Sequence, residues 1–77
     1  MSDTTDRVKR VVAETLRVAP DRIVDNARFV EDLGAESIQS VELVAAFEEE
    51  FDIDMDEEEA LQVKSVRDAV TFIERYL

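Results

Sequence analysis

The sequence predicts an all-α fold: a small four-helix bundle, three longer helices and one short, with a long ordered first loop. Three observations carry that prediction. Apolar residues recur at helical spacing in three segments. One Gly and one Pro in 77 residues are too few punctuators for a turn-dense β fold. Hydrophobic residues make up 45% of the chain despite a net charge of -11, and a disordered acidic tail is far poorer in Val, Ile, Leu and Phe. No repeat, low-complexity tract or linker divides the chain, so residues 1–77 are expected to form one domain.

The first helix is expected from about Asp3 to about Arg17. Val8, Val11, Val12 and Leu16 follow the i, i+3, i+4, i+8 pattern of a buried face, and Asp3 and Asp6 suit the positive end of the helix dipole. From Val18 to Glu36 the periodicity is lost, and Pro20, Asp21, Asp25, Asn26 and Gly34 punctuate the stretch. A loop this long in so small a domain is usually functional or held down by its own apolar residues. Ile23, Phe29 and Leu33 are the expected anchors.

The second helix is expected from about Ser37 to about Phe51. On a wheel of about 100° per residue, Leu43, Val44, Phe47 and Phe51 share a core face. Ile38, Val41 and Ala45 cluster on another side, flanked by Glu42 and Glu49. That second cluster fits either a helix buried on two sides or an exposed contact patch ringed by acids, and the flanking carboxylates favour the patch. A short third helix is expected after Asp56, with Glu59 three residues on. The fourth begins behind Ser65 as N-cap, with Asp68 at the third position, and runs to the C-terminus. Val66, Ala69, Val70, Ile73 and Leu77 form its buried stripe, widened by Phe72 and Tyr76.

Composition removes several functions. Without Cys or His there is no disulfide framework, no thiolate or imidazole metal site, and no thiol nucleophile or catalytic triad. The chain holds 20 acids against 9 bases, which repels nucleic acid. No apolar run approaches the ~18 residues of a membrane span, and no signal or transit pattern opens the chain. A cytoplasmic protein is expected. The charge is also uneven: residues 36–63 hold eleven acids and no base, so they account for the whole net charge. That bias suits a docking surface for basic partners as well as it suits a solvated face.

Two acid-based chemistries fail on inspection. Asp52, Asp54 and Asp56 occupy positions one, three and five of a calcium loop, but Glu57 stands where the loop needs Gly and Val63 where it needs a bidentate Glu. A pair of catalytic carboxylates needs a substrate cleft between them, and a bundle this small has little room for one. An enzyme is not expected.

The most informative stretch is Glu31-Asp32-Leu33-Gly34-Ala35-Glu36-Ser37-Ile38, followed by Val41-Glu42-Leu43-Val44. The single glycine frees the backbone three residues before a serine at a helix N-terminus. Spacing alone reads Ser37 as an N-cap. Here, however, the residues resemble the acyl carrier proteins, in which a Gly, two intervening residues and a serine precede an acidic amphipathic helix. The resemblance runs from Arg7-Val8-Lys9 to Ile73. Phe29-Val30-Glu31-Asp32-Leu33-Gly34-Ala35, Val41-Glu42-Leu43-Val44 and Glu48-Glu49-Glu50-Phe51-Asp52 are similar to the type II fatty-acid-synthesis carriers. Two departures stand out. The usual Asp-Ser-Leu is Glu36-Ser37-Ile38 here, which bears on which modifying enzyme or partner accepts the site. Asp56 stands where the family often has Pro, an exchange expected to loosen the start of the third helix.

The resemblance implies a carrier whose covalent cofactor, 4′-phosphopantetheine, is attached to Ser37 and presents acyl intermediates as thioesters for fatty-acid biosynthesis or a related acyl pathway. The cofactor would bring the thiol that the chain lacks. The expected partner face is Glu36, Ile38, Val41, Glu42, Ala45, Glu48, Glu49, Met55 and Glu57. It would meet a phosphopantetheinyl transferase and acyl-processing enzymes with basic docking patches. The expected acyl-chain lining is Val44, Phe47, Leu61, Val66 and Ile73. Ser40, one turn beyond Ser37, falls toward the core side of the wheel. A monomer is expected. The alternative is a non-carrier acidic helical adaptor that binds a basic partner through the second helix; a carrier of aminoacyl or polyketide intermediates would share the mechanism but not the pathway.

Overall fold

The computed structural model describes residues 3–77, so residues 1 and 2 of the expected domain lie outside the described residues. Four α-helices follow in order: α1 (Asp3–Leu16), α2 (Ser37–Phe51), α3 (Glu57–Ala60) and α4 (Val66–Glu74). α1 packs against both α2 and α4. Val8, Val11, Val12 and Leu16 all bury, joined by Ala13. Val8 and Val12 of α1 and Val66 and Ile73 of α4 are the largest fully buried side chains. From α2, the core receives Leu43, Phe47 and Phe51, with Val44 half-buried beside them.

Two of the helices end on left-handed residues other than glycine. Arg17 (φ 57°) and Asp52 (φ 54°) close α1 and α2, and the next amides reach back five residues, Val18 N to Ala13 O at 3.2 Å and Ile53 N to Glu48 O at 3.1 Å. Those bonds satisfy carbonyls that a helix end leaves without partners.

The first loop is ordered by packing and by backbone pairing. Ile23, Phe29 and Leu33 are buried, with Ala27 and Ala35. A 3₁₀ turn at Pro20–Arg22 begins the descent, a feature the lost periodicity did not reveal. Further on, Phe29 N donates to Lys64 O at 2.9 Å and Val66 N to Ala27 O at 3.0 Å, an isolated antiparallel bridge between Arg28 and Ser65. The loop is thereby stitched to the start of α4. Arg28 and Asp32 clasp its outer side at 3.1 Å.

Two expectations at the C-terminal end need correction. α4 ends at Glu74, and i→i−3 bonds from Arg75, Tyr76 and Leu77 tighten the last turn. That turn carries Leu77 out of the expected stripe, leaving it 65% exposed. Tyr76 stays at the surface, its ring edge on Phe72 at 5.4 Å between centroids. Its hydroxyl accepts from Asp56 N at 3.0 Å. Asp56 does not loosen α3. Its Oδ1 accepts from Glu59 N at 3.0 Å, and its own N–H, which proline would lack, is the donor to Tyr76.

Candidate functional site

The site is built around the start of α2. Just before it, the loop turns tightly. Asp32 N and Leu33 N both donate to Arg28 O, Gly34 N to Val30 O, and Ala35 N to Phe29 O at 2.8 Å. Gly34 makes that turn at φ +72°, a left-handed conformation that favours glycine. Glu36 then enters extended (φ -89°, ψ 164°) as the N-cap of α2. Its N–H donates to Gln39 Oε1 at 2.9 Å.

Ser37 is therefore the first residue of the helix, and the expectation from spacing that it serves as N-cap is wrong by one position. The reason lies in Gln39: a side chain three residues beyond Glu36 can cap Glu36 N, as in a capping box. The displacement frees the Ser37 side chain from the capping task. Ser37 is exposed, and among the described residues nothing hydrogen-bonds its hydroxyl. The N–H groups of Ser37 and Ile38 open the helix without an acceptor among the described residues, an arrangement that favours a bound anion.

The remaining described serines are differently employed. Ser65 Oγ accepts from Asp68 N at 3.2 Å and caps α4. Ser40 is half-buried and lines an apolar slot.

Of the expected partner face, Glu36, Ile38, Val41, Glu42, Ala45, Glu49 and Glu57 are exposed. Ile38 is 68% and Val41 49% exposed, large values for apolar residues on a helix. Glu48 is half-buried, and its Oε2 accepts from Met55 N at 2.8 Å. Met55 is the exception. It is only 7% exposed and belongs to the slot, not to the surface. Its N–H is held by Glu48, seven residues earlier, while the exposed Asp54 and Asp56 flank it.

The slot lies between α2, α3 and α4 and encloses about 20 Å³ of free space, about room for one water. Of the expected acyl-chain lining, Val44, Phe47, Leu61 and Ile73 face the slot. Val66 does not, because the bridge to Ala27 seats it in the core beneath the first loop. Phe29, Ser40, Leu43, Met55, Ala60, Val63, Ala69 and Phe72 complete the wall. Several of these repeat at helical spacing and were legible as core, but no local pattern separates a slot wall from ordinary packing.

Electrostatics divide the molecule. On the α1 side, Arg7 and Arg10 both reach Glu50 Oε2, at 2.8 and 2.6 Å. Hydrogen bonds from Arg7 and then Arg10 hold the Glu50 carboxyl below its ordinary range. Among the described residues, Glu50 is the one acid of 36–63 in an ion pair. The others leave the α2–α3 surface negative.

Comparison with known proteins now bears on this geometry. A family model described as a phosphopantetheine attachment site matches residues 6–73. The chain is 46% identical over 76 residues to an acyl carrier protein of Zymomonas mobilis, covering 99% of this chain and 97% of that one. It is 47% identical over 77 residues to an acyl carrier protein of Phenylobacterium zucineum, covering 100% and 98%. The chain belongs to the acyl carrier protein family. As such it is a carrier and not an enzyme, of the fatty-acid type, with a covalent 4′-phosphopantetheine as its cofactor. The adaptor alternative gives way to that assignment. Acyl chains, the transferase and fatty-acid-synthesis enzymes are the partners that the family implies. No helix among the described residues is long and apolar enough to cross a membrane.

The start of α2 fits the cofactor. A phosphodiester needs an accessible hydroxyl and tolerates, or gains from, helix N–H groups beside it. Ser37 offers both. When bound, the arm supplies the thiol on which acyl groups are carried as thioesters.

Proposed function

We propose that Ser37 is the attachment residue, and that residues 1–77 act as one monomeric cytoplasmic carrier domain. The observation that carries this is the contrast among the described serines: Ser65 caps a helix, Ser40 faces the slot, and Ser37 alone is exposed with an unengaged hydroxyl. In the loading step the Ser37 Oγ–P bond forms as the phosphoanhydride of coenzyme A breaks. The adenosine bisphosphate leaves, and the hydroxyl proton passes to a base of the transferase.

The docking face is Glu36, Ile38, Val41, Glu42, Ala45, Glu48, Glu49 and Glu57. Its acids steer basic patches into encounter, and complementarity of this kind raises association rates more than it tightens binding. The exposed side chains of Ile38 and Val41 then give each partner a small apolar foothold next to the modified serine. A carrier that serves enzymes in turn needs fast, reversible contacts of this sort.

The slot is the acyl shelter. Each methylene withdrawn from water is favourable by roughly 0.8 kcal/mol, which drives a medium-length chain to part side chains that now close on a single water-sized void.

The test of the carrier assignment is incubation with coenzyme A and a phosphopantetheinyl transferase, followed by intact mass measurement. A gain of one phosphopantetheinyl group supports it. An unchanged mass with a transferase that modifies a control carrier rejects it.

A further inference from the structure

The acyl slot is walled by apolar side chains except at one place, where Ser40 enters the lining. Ser40 is half-buried, and among the described residues its hydroxyl has no hydrogen-bond partner. A hydroxyl can donate and accept, so this group is available to an oxygen brought into the slot. It also stands three residues after Ser37, on the same face of α2, which places it at the end of the slot nearest the attachment residue.

We infer that Ser40 is a specificity-determining residue that lets the slot shelter acyl chains bearing an oxygen at carbon 3, as well as saturated ones. The inference rests on the reading of the slot as the acyl shelter. A chain tethered at Ser37 enters tail first, so its deep part meets Phe47 and Ile73 while its first carbons stay near Ser40. A saturated chain asks nothing of Ser40. A 3-hydroxyacyl chain must strip water from its hydroxyl, and burial without a replacement partner is costly. Ser40 supplies the replacement at the level where that oxygen sits. Without it, the apolar wall would expel such chains while still taking saturated ones.

The test uses the full-length holo protein loaded with octanoyl or with 3-hydroxyoctanoyl groups, as the natural chain, as Ser40→Ala and as Ser40→Thr. Sheltering is read from NMR shifts of Ile73 and Phe47 and from the melting temperature against the unacylated form. Both chains should be sheltered in the natural protein. Ser40→Ala should lower the sheltered-to-expelled ratio of the 3-hydroxyoctanoyl chain about fivefold relative to octanoyl, the equivalent of one hydrogen bond of ~1 kcal/mol. Ser40→Thr, which keeps the hydroxyl, should restore it. Equal responses of the two chains to Ser40→Ala would overturn the role of Ser40 and leave the slot standing. If octanoyl itself leaves Ile73 and Phe47 unperturbed in the natural protein, the shelter and the inference built on it both fall.

Discussion

Arg7 lies between two consecutive residues of α2, its Nε 2.8 Å from Glu50 Oε2 and its guanidinium 4.4 Å from the centroid of the Phe51 ring. A second bond, from Arg7 Nη2 to the Glu50 carbonyl at 2.6 Å, and the reach of Arg10 to the same carboxylate complete the clamp. Two arginines of α1 thereby hold the far end of the acidic helix, away from Ser37. The acids of α2 nearer Ser37 make no ion pair among the described residues.

That clamp predicts an acid-sensitive increment of stability. Arg7 and Arg10 depress the Glu50 pKa in the folded chain. A depressed carboxylate contributes stability that is complete above its unfolded value, about 4.3, and is lost as pH falls through the lower folded value. Asp25 beside Lys9 and Asp32 beside Arg28 shift in the same direction. Between about pH 5 and 3, the melting temperature of the natural chain should therefore fall more steeply than that of Glu50→Gln. Parallel curves would show that the clamp adds nothing that titrates.

Backbone conformation predicts two substitutions of opposite sign. Gly34→Ala meets no atom within 4 Å of the added methyl, so its cost is conformational, ~1 kcal/mol for an L residue held at positive φ. Arg17→Gly relieves the same strain at φ 57°, offset by the larger unfolded entropy of glycine, and should stabilise by ~0.5 kcal/mol. Urea unfolding of both variants checks the pair; a stabilising Gly34→Ala would contradict it.

The starts of α3 and α4 were legible because their causes are local. Ser65 with Asp68, and Asp56 with Glu59, signal helix starts within four residues, and α2 spans the residues that its periodicity predicts. What stayed hidden depends on distant partners. Tyr76 meets Asp56 across twenty residues, Met55 N bonds to Glu48 across the end of α2, and Val66 N bonds to Ala27 O of the first loop, with Val66 outside the slot. At the candidate site, residues that resemble a family single out Ser37. Its release from capping was not legible, because that depends on where the Gln39 side chain turns.

The acidic surface predicts a response to cations. Among the acids of 36–63, ion pairing is confined to Glu50 in the described residues, so mutual repulsion is left to solvent and counterions. Magnesium or calcium should raise the melting temperature more than sodium chloride does at equal ionic strength. The described residues contain no cluster arranged to hold an ion, so the rise should be gradual and not saturate at one equivalent. Indifference to all three salts would mean that the carboxylates are far enough apart to ignore one another.

The slot predicts a dependence on chain length. Acyl groups of increasing length on the holo protein should raise the melting temperature progressively over the medium range, as each methylene leaves water. They should also shift NMR signals of Val44, Phe47, Leu61 and Ile73 while leaving Val66 little changed. Perturbation confined to residues around Ser37 would place the chain outside.

The attachment residue is tested most directly by intact mass measurement of the natural chain, Ser37→Ala and Ser40→Ala after treatment with coenzyme A and a phosphopantetheinyl transferase. The natural chain and Ser40→Ala should each gain one phosphopantetheinyl group, and Ser37→Ala none. Modification that persists in Ser37→Ala would contradict the assignment, whichever other residue received the group.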